Sequence, residues 1–362
     1  MDRAGHEERK PAVDSLELLR TLSDAFGVSG FEDEARDALR EIVAPLVDEL
    51  RVDTLGNLIA TRRGDGPTLM LDAHTDEVGF MVSHIEPTGY LRFTTVGGWD
   101  ARIIPSHMMT VVTDDGARVS GVVGTPPPHI LEAKDRERPA ALDELFVDIG
   151  VTSDSEARAL GVRVGSPAYI AYGFRALNAQ VVAGKALDDR AGCAAIVKAL
   201  EALAGQQLDV NLVAVFSVAE EIGLLGASTA TFQTRPDIAL ALEGTICADV
   251  PGVPAARNVT RSGSGPAITV ADGSQVVPGR MVRALTSIAD DAGIPWQYKT
   301  PRYGGTNAGA IQRIGPGVLA GVVSVPCRYI HSPFAVMRLD DFEQTAQLVT
   351  AFVKEARGRL MA

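Results

Sequence analysis

The sequence predicts an α/β protein interrupted by a small antiparallel β domain. Three observations carry that reading. Short apolar, β-branched runs alternate with helically spaced segments towards both ends of the chain. The middle, from about residue 79 to 171, loses the helical spacing and turns often. Side chains of metal-ligand type recur where apolar runs end. With 362 residues the chain fits one large domain or two. The expected division is 1–78 with 172–362 as one α/β domain, and 79–171 as an inserted β domain.

The first helix is expected over residues 14–25, where Leu16, Leu18, Leu19 and Leu22 keep helical spacing and Gly27 and Gly30 end the run. Ser29 is placed to cap a second helix from about Glu32 to Leu50. Strands follow around Asn57–Thr61 and Thr68–Ala73, split by the turn-rich RRGDG. Alternation then dominates, as in GFMVSHIEPTGYLRF and MMTVVTDDGARVSGVVG, which predicts a barrel-like or sandwich-like sheet. PPPH (126–129) opens a polar loop through Arg138. Beyond Ala183 the spacing predicts a helix over Asp189–Leu203, strands over Asn211–Ala219 and Ile238–Leu242, and a helix over Gly279–Ala292. A strand over Val322–Pro326 and a terminal helix over Asp340–Leu360 complete the chain.

Composition narrows the function. A formal charge of −12 argues against nucleic acid and anionic membrane as partners, since both need a basic footprint. No apolar run reaches membrane-spanning length, and the charged N-terminus lacks the apolar core of a secretory signal. Cys193, Cys247 and Cys327 are odd in number and widely spaced, which predicts buried free thiols in a reducing cytoplasm. RSGSGPA (261–267) lacks the lysine of a phosphate loop and is expected to be a turn.

Five stretches carry the chemistry. LMLDAHTDEVG presents His74 and Asp76, GKALDDRAG presents Asp188 and Asp189, and VAEEIG presents Glu220 and Glu221. ALALEGTICADVPG presents Glu243, and VSVPCRYIHSP presents His331. Each falls at a predicted strand end or helix start, where ligand sites of open α/β sheets gather. Adjacent glutamates after a buried run are costly unless cations or hydrogen bonds compensate them. Taken singly, each motif has a plainer structural reading, such as a helix cap for Asp188–Asp189 or a solvated helix start for Glu220–Glu221. Together, two histidines and several carboxylates suit Zn²⁺ or Co²⁺, and also admit Mn²⁺. A spare carboxylate beside such ligands can act as a general base. His84, His107 and His129 lack such company and are expected to be structural.

AHTDEVG, KALDDRAG, SVAEEIG, LEGTICADVPG, GGTNAGAIQ and RYIHSP, taken in this order, resemble the cytosolic glutamyl/deblocking aminopeptidases. These dinuclear metallopeptidases form tetrahedral dodecamers and were sometimes mislabelled endoglucanases. The resemblance spans nearly the whole chain and implies a mixed-sheet, zinc-peptidase-like catalytic domain with an inserted β-barrel-like domain that pairs subunits. It implies two divalent ions per subunit, His74 and Glu243 holding one, Glu221 and His331 the other, with Asp188 between them. It makes Glu220 the general base and Asp76 the support of His74, and it implies a cis Asp188–Asp189 peptide. Gly305, Thr306 and Asn307 are expected at the substrate pocket. Glu243 and Asn307 stand where the family more often has aspartate, and Ala335 where a glutamate often follows.

The expected activity is release of N-terminal residues from short peptides, by a protein that forms dimers and a dodecamer. A deacetylase or other amidohydrolase of the same fold, and a metal-stabilised scaffold without turnover, are the alternatives. A glycosidase using Glu220 and Glu221 leaves His74, Asp188 and His331 without a purpose.

Overall fold

Apolar runs without polar alternation become strands covered on both faces. The structure, a computed structural model, describes residues 13–300 and 303–361; the charged stretch 1–12, expected to carry no secretory signal, lies outside them. In chain order the strands are β1 (Glu49–Val52), β2 (Leu58–Arg62), β3 (Thr68–His74), β4 (Gly79–Ile85), β5 (Leu91–Val96), β6 (Met108–Val112), β7 (Arg118–Gly124), β8 (Phe146–Asp148) and β9 (Pro167–Ile170). There follow β10 (Arg175–Asn178), β11 (Val181–Gly184), β12 (Asn211–Ser217), β13 (Ile238–Ile246), β14 (Ala267–Thr269), β15 (Gln297–Lys299), β16 (Leu319–Arg328) and β17 (Ala335–Arg338).

One mixed sheet runs β1-β2-β12-β3-β13-β16-β17-β11-β10, with β14 paired to β16 and β15 to β14. Its four middle strands, β12, β3, β13 and β16, are parallel. The flanking pairs are antiparallel. Side chains alternate across it: Leu69, Leu71 and Ala73 enter the core beneath helices Ser15–Asp24, Leu187–Leu203, Gly279–Asp291 and Leu339–Leu360. Met70 enters the opposite core, covered by the shorter helices Leu225–Thr234 and Asn307–Ile311. That second face turns polar towards the carboxyl ends of the strands. Asp72, His74, Ser217, Glu243 and Thr245 all follow apolar residues of the same parity and all are buried.

Strands β4 to β9 close a six-stranded barrel in the order β4-β5-β8-β7-β6-β9. Phe80, Val82, Phe93, Met109, Val111 and Val147 fill it. The barrel leaves the sheet directly after β3 and returns just before β10. It touches the sheet domain through Phe26, Val28, Val112 and Tyr169.

Three expectations need correction. The helix expected over 32–50 stops at Val43; Ala44–Leu46 tightens into a 3₁₀ turn around Pro45, and β1 begins at Glu49. Ser29 caps no helix, because its hydroxyl donates to Asp76 Oδ2 at 2.6 Å. Helix Leu225–Thr234 was not expected, since LGASTATFQT carries small and hydroxyl residues instead of an amphipathic stripe. RSGSGPA is a turn, held by Gly263 and Gly265 N–H groups donating to Asp341. All three cysteines are free and buried.

Candidate metal centre

Register explains why residues far apart in sequence meet. β3 and β13 pair up to Asp72 opposite Ala241, so His74 and Glu243, two residues further along each strand, stand level. Ser217 pairs with His74, and Glu220 and Glu221 follow three and four residues later. Asp188 lies at the start of helix Leu187–Leu203, and the Asp188–Asp189 peptide is cis. Gly244 makes room: a Cβ there would lie 2.8 Å from Asp188 Cα. His331 follows β16.

The distances describe two groups joined by one carboxylate. His74 Nε2 lies 3.5 Å from Asp188 Oδ1 and 3.8 Å from Glu243 Oε2. His331 Nε2 lies 3.6 Å from Asp188 Oδ2 and 3.3 Å from Glu221 Oε1. These spacings exceed ordinary hydrogen bonds. They suit donors sharing one ion, since two ligands on a tetrahedral zinc lie about 3.3 Å apart for bonds of roughly 2.0–2.1 Å. Asp188 Oδ1 is buried with no hydrogen-bond partner among the described residues, as a bridging oxygen awaiting a cation would be. Asp189 also comes within reach of His74 and Glu243. Its oxygens, however, accept the Gly192 and His74 backbone N–H groups.

Each imidazole is oriented from behind. His74 Nδ1 faces the Asp76 carbonyl at 3.1 Å, and His331 Nδ1 faces the Gly98 carbonyl of the barrel at 3.0 Å. Donation from Nδ1 leaves Nε2 as the free lone pair on both rings. Asp76 Oδ1 also lies 3.3 Å from His74 Nδ1.

The loop carrying the glutamate pair is held by its backbone. Val218 N–H donates to Asn57 Oδ1, Ala219 N–H to Glu32 Oε1, Glu220 N–H to Asp76 Oδ1 and Glu221 N–H to Asp76 Oδ2. Four successive donors are thus each satisfied by a side chain from another element. Asp76 is fixed in turn by Ser29, and its neighbour Glu77 by a buried ion pair with Lys185 at 2.7 Å. Arg190, fully buried, donates to the carbonyls of Thr75, Leu22 and Ala25. Sequence reasoning missed Asn57, Glu32, Lys185 and Arg190. Only the adjacency of Lys185 and Arg190 to Asp188 and Asp189 hinted at them.

Electrostatics match a carboxylate-rich, largely buried pocket. Burial, with the charges of Glu221, Asp188 and Asp76 adding to it against the pull of His74, pushes Glu220 up to about 8. Burial, helped by Glu220 and Asp189, likewise holds Glu243 well above the usual carboxylate range. Burial alone would lower His74, but Asp188, Asp76 and Glu220 outweigh it and hold the imidazole well above its ordinary value. His331 is pushed up to about 11 because Asp188 and Glu221 outweigh its burial. Divalent cations would take the place of the protons these groups gather.

Gly305 and Thr306 line a cavity of about 280 Å³ that also contains His74, Glu220, Glu243 and His331. Asn307 does not face it. Its Nδ2 donates to Asp72 Oδ1 at 2.7 Å and to Ser217 Oγ at 3.0 Å, and its backbone N–H donates to Glu243 Oε1 at 3.3 Å. The side chain therefore sits behind Glu243 and not on the cavity wall. Ala335, buried at the start of β17, lines a narrower cleft beside Asp188 and His331.

Comparison with known proteins agrees with this architecture. A curated lysyl aminopeptidase of Pyrococcus furiosus is 35% identical over 94% of this chain and 97% of its own length. A glutamyl aminopeptidase of Lactococcus lactis is 30% identical over 94% and 96%. The crystal structure of a TET aminopeptidase from a marine-sediment thaumarchaeote superposes with a TM-score of 0.91 at 37% identity, covering 94% of this chain and 96% of that one. The model of the M42 glutamyl aminopeptidase family matches residues 56–348, which take in every ligand candidate from His74 to His331. With barrel, sheet and carboxylate–histidine cluster all in place, the chain belongs to the M42 glutamyl aminopeptidase family.

Proposed function

We propose that this protein is a metal-dependent aminopeptidase that releases N-terminal residues from short peptides, with His74 and Glu243 holding one divalent ion, Glu221 and His331 a second, and Asp188 both. The observation that carries the reading is Asp188 itself, with one oxygen 3.5 Å from His74 Nε2 and the other 3.6 Å from His331 Nε2. Zn²⁺, Co²⁺ or Mn²⁺ bound there supplies Lewis acidity, polarising the scissile carbonyl and acidifying the attacking water.

Glu220 is the general base. Its carboxylate lies 4.0 Å from His74 Nε2, and no described hydrogen bond holds its side chain. It takes a proton from water as the new C–O bond forms, then returns it to the amine nitrogen as the C–N bond breaks. Asp76 positions the reaction by holding His74 and the backbone of both glutamates. Hydrolysis of free and N-acetylated aminoacyl amides, before and after chelation and with each metal restored, tests this reading. Metal-restored cleavage of the free-amine set alone is expected. Cleavage of the acetylated set would move the activity to a deacylase, and silence throughout would favour the scaffold.

Residues 79–171 act as an inserted domain that pairs subunits. Ile103, Met108, Val122 and Ile130 are exposed on or beside the barrel, and a Pyrococcus horikoshii TET peptidase of this fold assembles into a tetrahedron or a larger octahedral shell. Dimers, and from them a dodecamer, are the expected states; a monomeric sedimentation mass would sink both. No described helix is long and apolar enough to cross a membrane, and three free thiols suit a cytoplasmic setting.

A further inference from the structure

Family membership leaves the preferred N-terminal side chain open, since relatives are named for lysyl and for glutamyl substrates. The cavity wall answers it. Lys299, the last residue of β15, lines the same cavity as the ligand cluster and is only 4% exposed. Its ammonium makes no ion pair and no side-chain hydrogen bond among the described residues. The Nζ atom is not sealed off and opens onto the cavity, where three donors and no acceptor suit an anion. Thr245 also lines the cavity, on the same face of β13 as Glu243, and its Oγ1 has no hydrogen-bond partner among the described residues. The carboxylates among the described lining residues are Asp188, Glu220, Glu221 and Glu243.

We infer that Lys299, assisted by the Thr245 hydroxyl, is the specificity determinant that receives the side-chain carboxylate of an N-terminal glutamate or aspartate. The inference rests on the aminopeptidase reading: two divalent ions balance four carboxylates, and Lys299 is left as the charge that a substrate must neutralise. An acidic side chain accepts from both donors. A lysyl side chain meets a like charge there.

The test is kcat/KM of the metal-reconstituted enzyme on glutamyl, aspartyl, leucyl and lysyl p-nitroanilides, whose only carboxylate is the side chain. Acidic anilides are expected to lead. Lys299→Met is expected to lower the glutamyl-to-leucyl ratio by roughly 10- to 100-fold, the worth of one charged hydrogen bond. Lys299→Arg should retain most of the ratio, and Lys299→Glu should turn it towards lysyl. Calorimetric binding of free glutamate, tighter than leucine in the wild type and weakened in Lys299→Met, gives a readout independent of turnover. A leucyl or lysyl preference in the wild type, or a ratio unmoved by all three variants, overturns the assignment while leaving an aminopeptidase. A larger loss on Leu-Gly than on its C-terminal amide, with glutamyl anilide unaffected, would transfer Lys299 to the terminal carboxylate and overturn it too. Failure to cleave any anilide with Zn²⁺, Co²⁺ or Mn²⁺ overturns both readings.

Discussion

The two halves of the candidate metal centre are built by different means. His74 and Glu243 stand on neighbouring parallel strands, level in register, with side chains 1% and 5% exposed. Glu221 and His331 stand on loops beyond the strands, and the His331 side chain is 36% exposed. The first half is positioned by a ladder of backbone hydrogen bonds, which cannot shift one residue without turning its side chains to the other face. The second depends on contacts that arrive from elsewhere, namely Asp76 beneath Glu221 and the barrel carbonyl of Gly98 behind His331. A half held by a sheet should keep its ion under conditions that empty a half held by loops.

The variant with the largest expected effect is Asp188→Ala, which removes the link between the halves. Both ions should be lost and peptidase activity should fall at least about 10³-fold; metal content by mass spectrometry and kcat/KM check it. One retained ion would show the halves to be independent. Glu220→Gln comes next, with kcat reduced on the order of 10²- to 10⁴-fold and metal content intact. Near-full turnover would remove Glu220 from the mechanism.

Chelator titration addresses the contrast directly. The ions should leave in two steps, and His331→Ala should abolish the weaker step alone. Release in one step would mean that register confers no advantage. Gly98→Ala is a gentler probe of the same half. A Cβ there lies 3.1 Å from His331 Nδ1, so the ring must shift, and the weaker affinity should fall roughly 10-fold, in the range of changes behind metal-bound histidines. The smallest effect is expected from Asn57→Ala, which frees the Val218 N–H. It should cost about 1–3 kcal/mol of stability, read by denaturant unfolding, and change activity only a few-fold.

These contrasts follow how much of the molecule was legible in its sequence. The β3, β12, β13 and β16 strands were expected because short apolar runs have one stable arrangement in an α/β protein, the covered parallel sheet, although β13 and β16 run about twice as long as their expected cores. Helices with an apolar stripe, such as Gly279–Asp291, were equally plain. Short strands such as β14, β15 and β17 were not expected, because three or four residues carry no period of their own. β14 and β17 pair with β16, and β15 pairs with β14. Pro45 was overlooked as a local helix stop, and the small residues of Leu225–Thr234 gave no apolar stripe to read.

The amino-acid sequence alone determined the order of elements, the residue types of the candidate ligands and their places at strand ends, because periodicity and side-chain chemistry are local properties. Tertiary structure decided which Asp188 oxygen faces which imidazole, why four backbone donors of the Val218–Glu221 loop need Asn57, Glu32 and Asp76, why Asn307 turns away from the cavity, and where Lys299 comes to rest. These are contacts between residues up to about 235 positions apart. Their geometry is set by sheet register and by the burial of polar groups that must find partners, and neither is a property of any one stretch of chain.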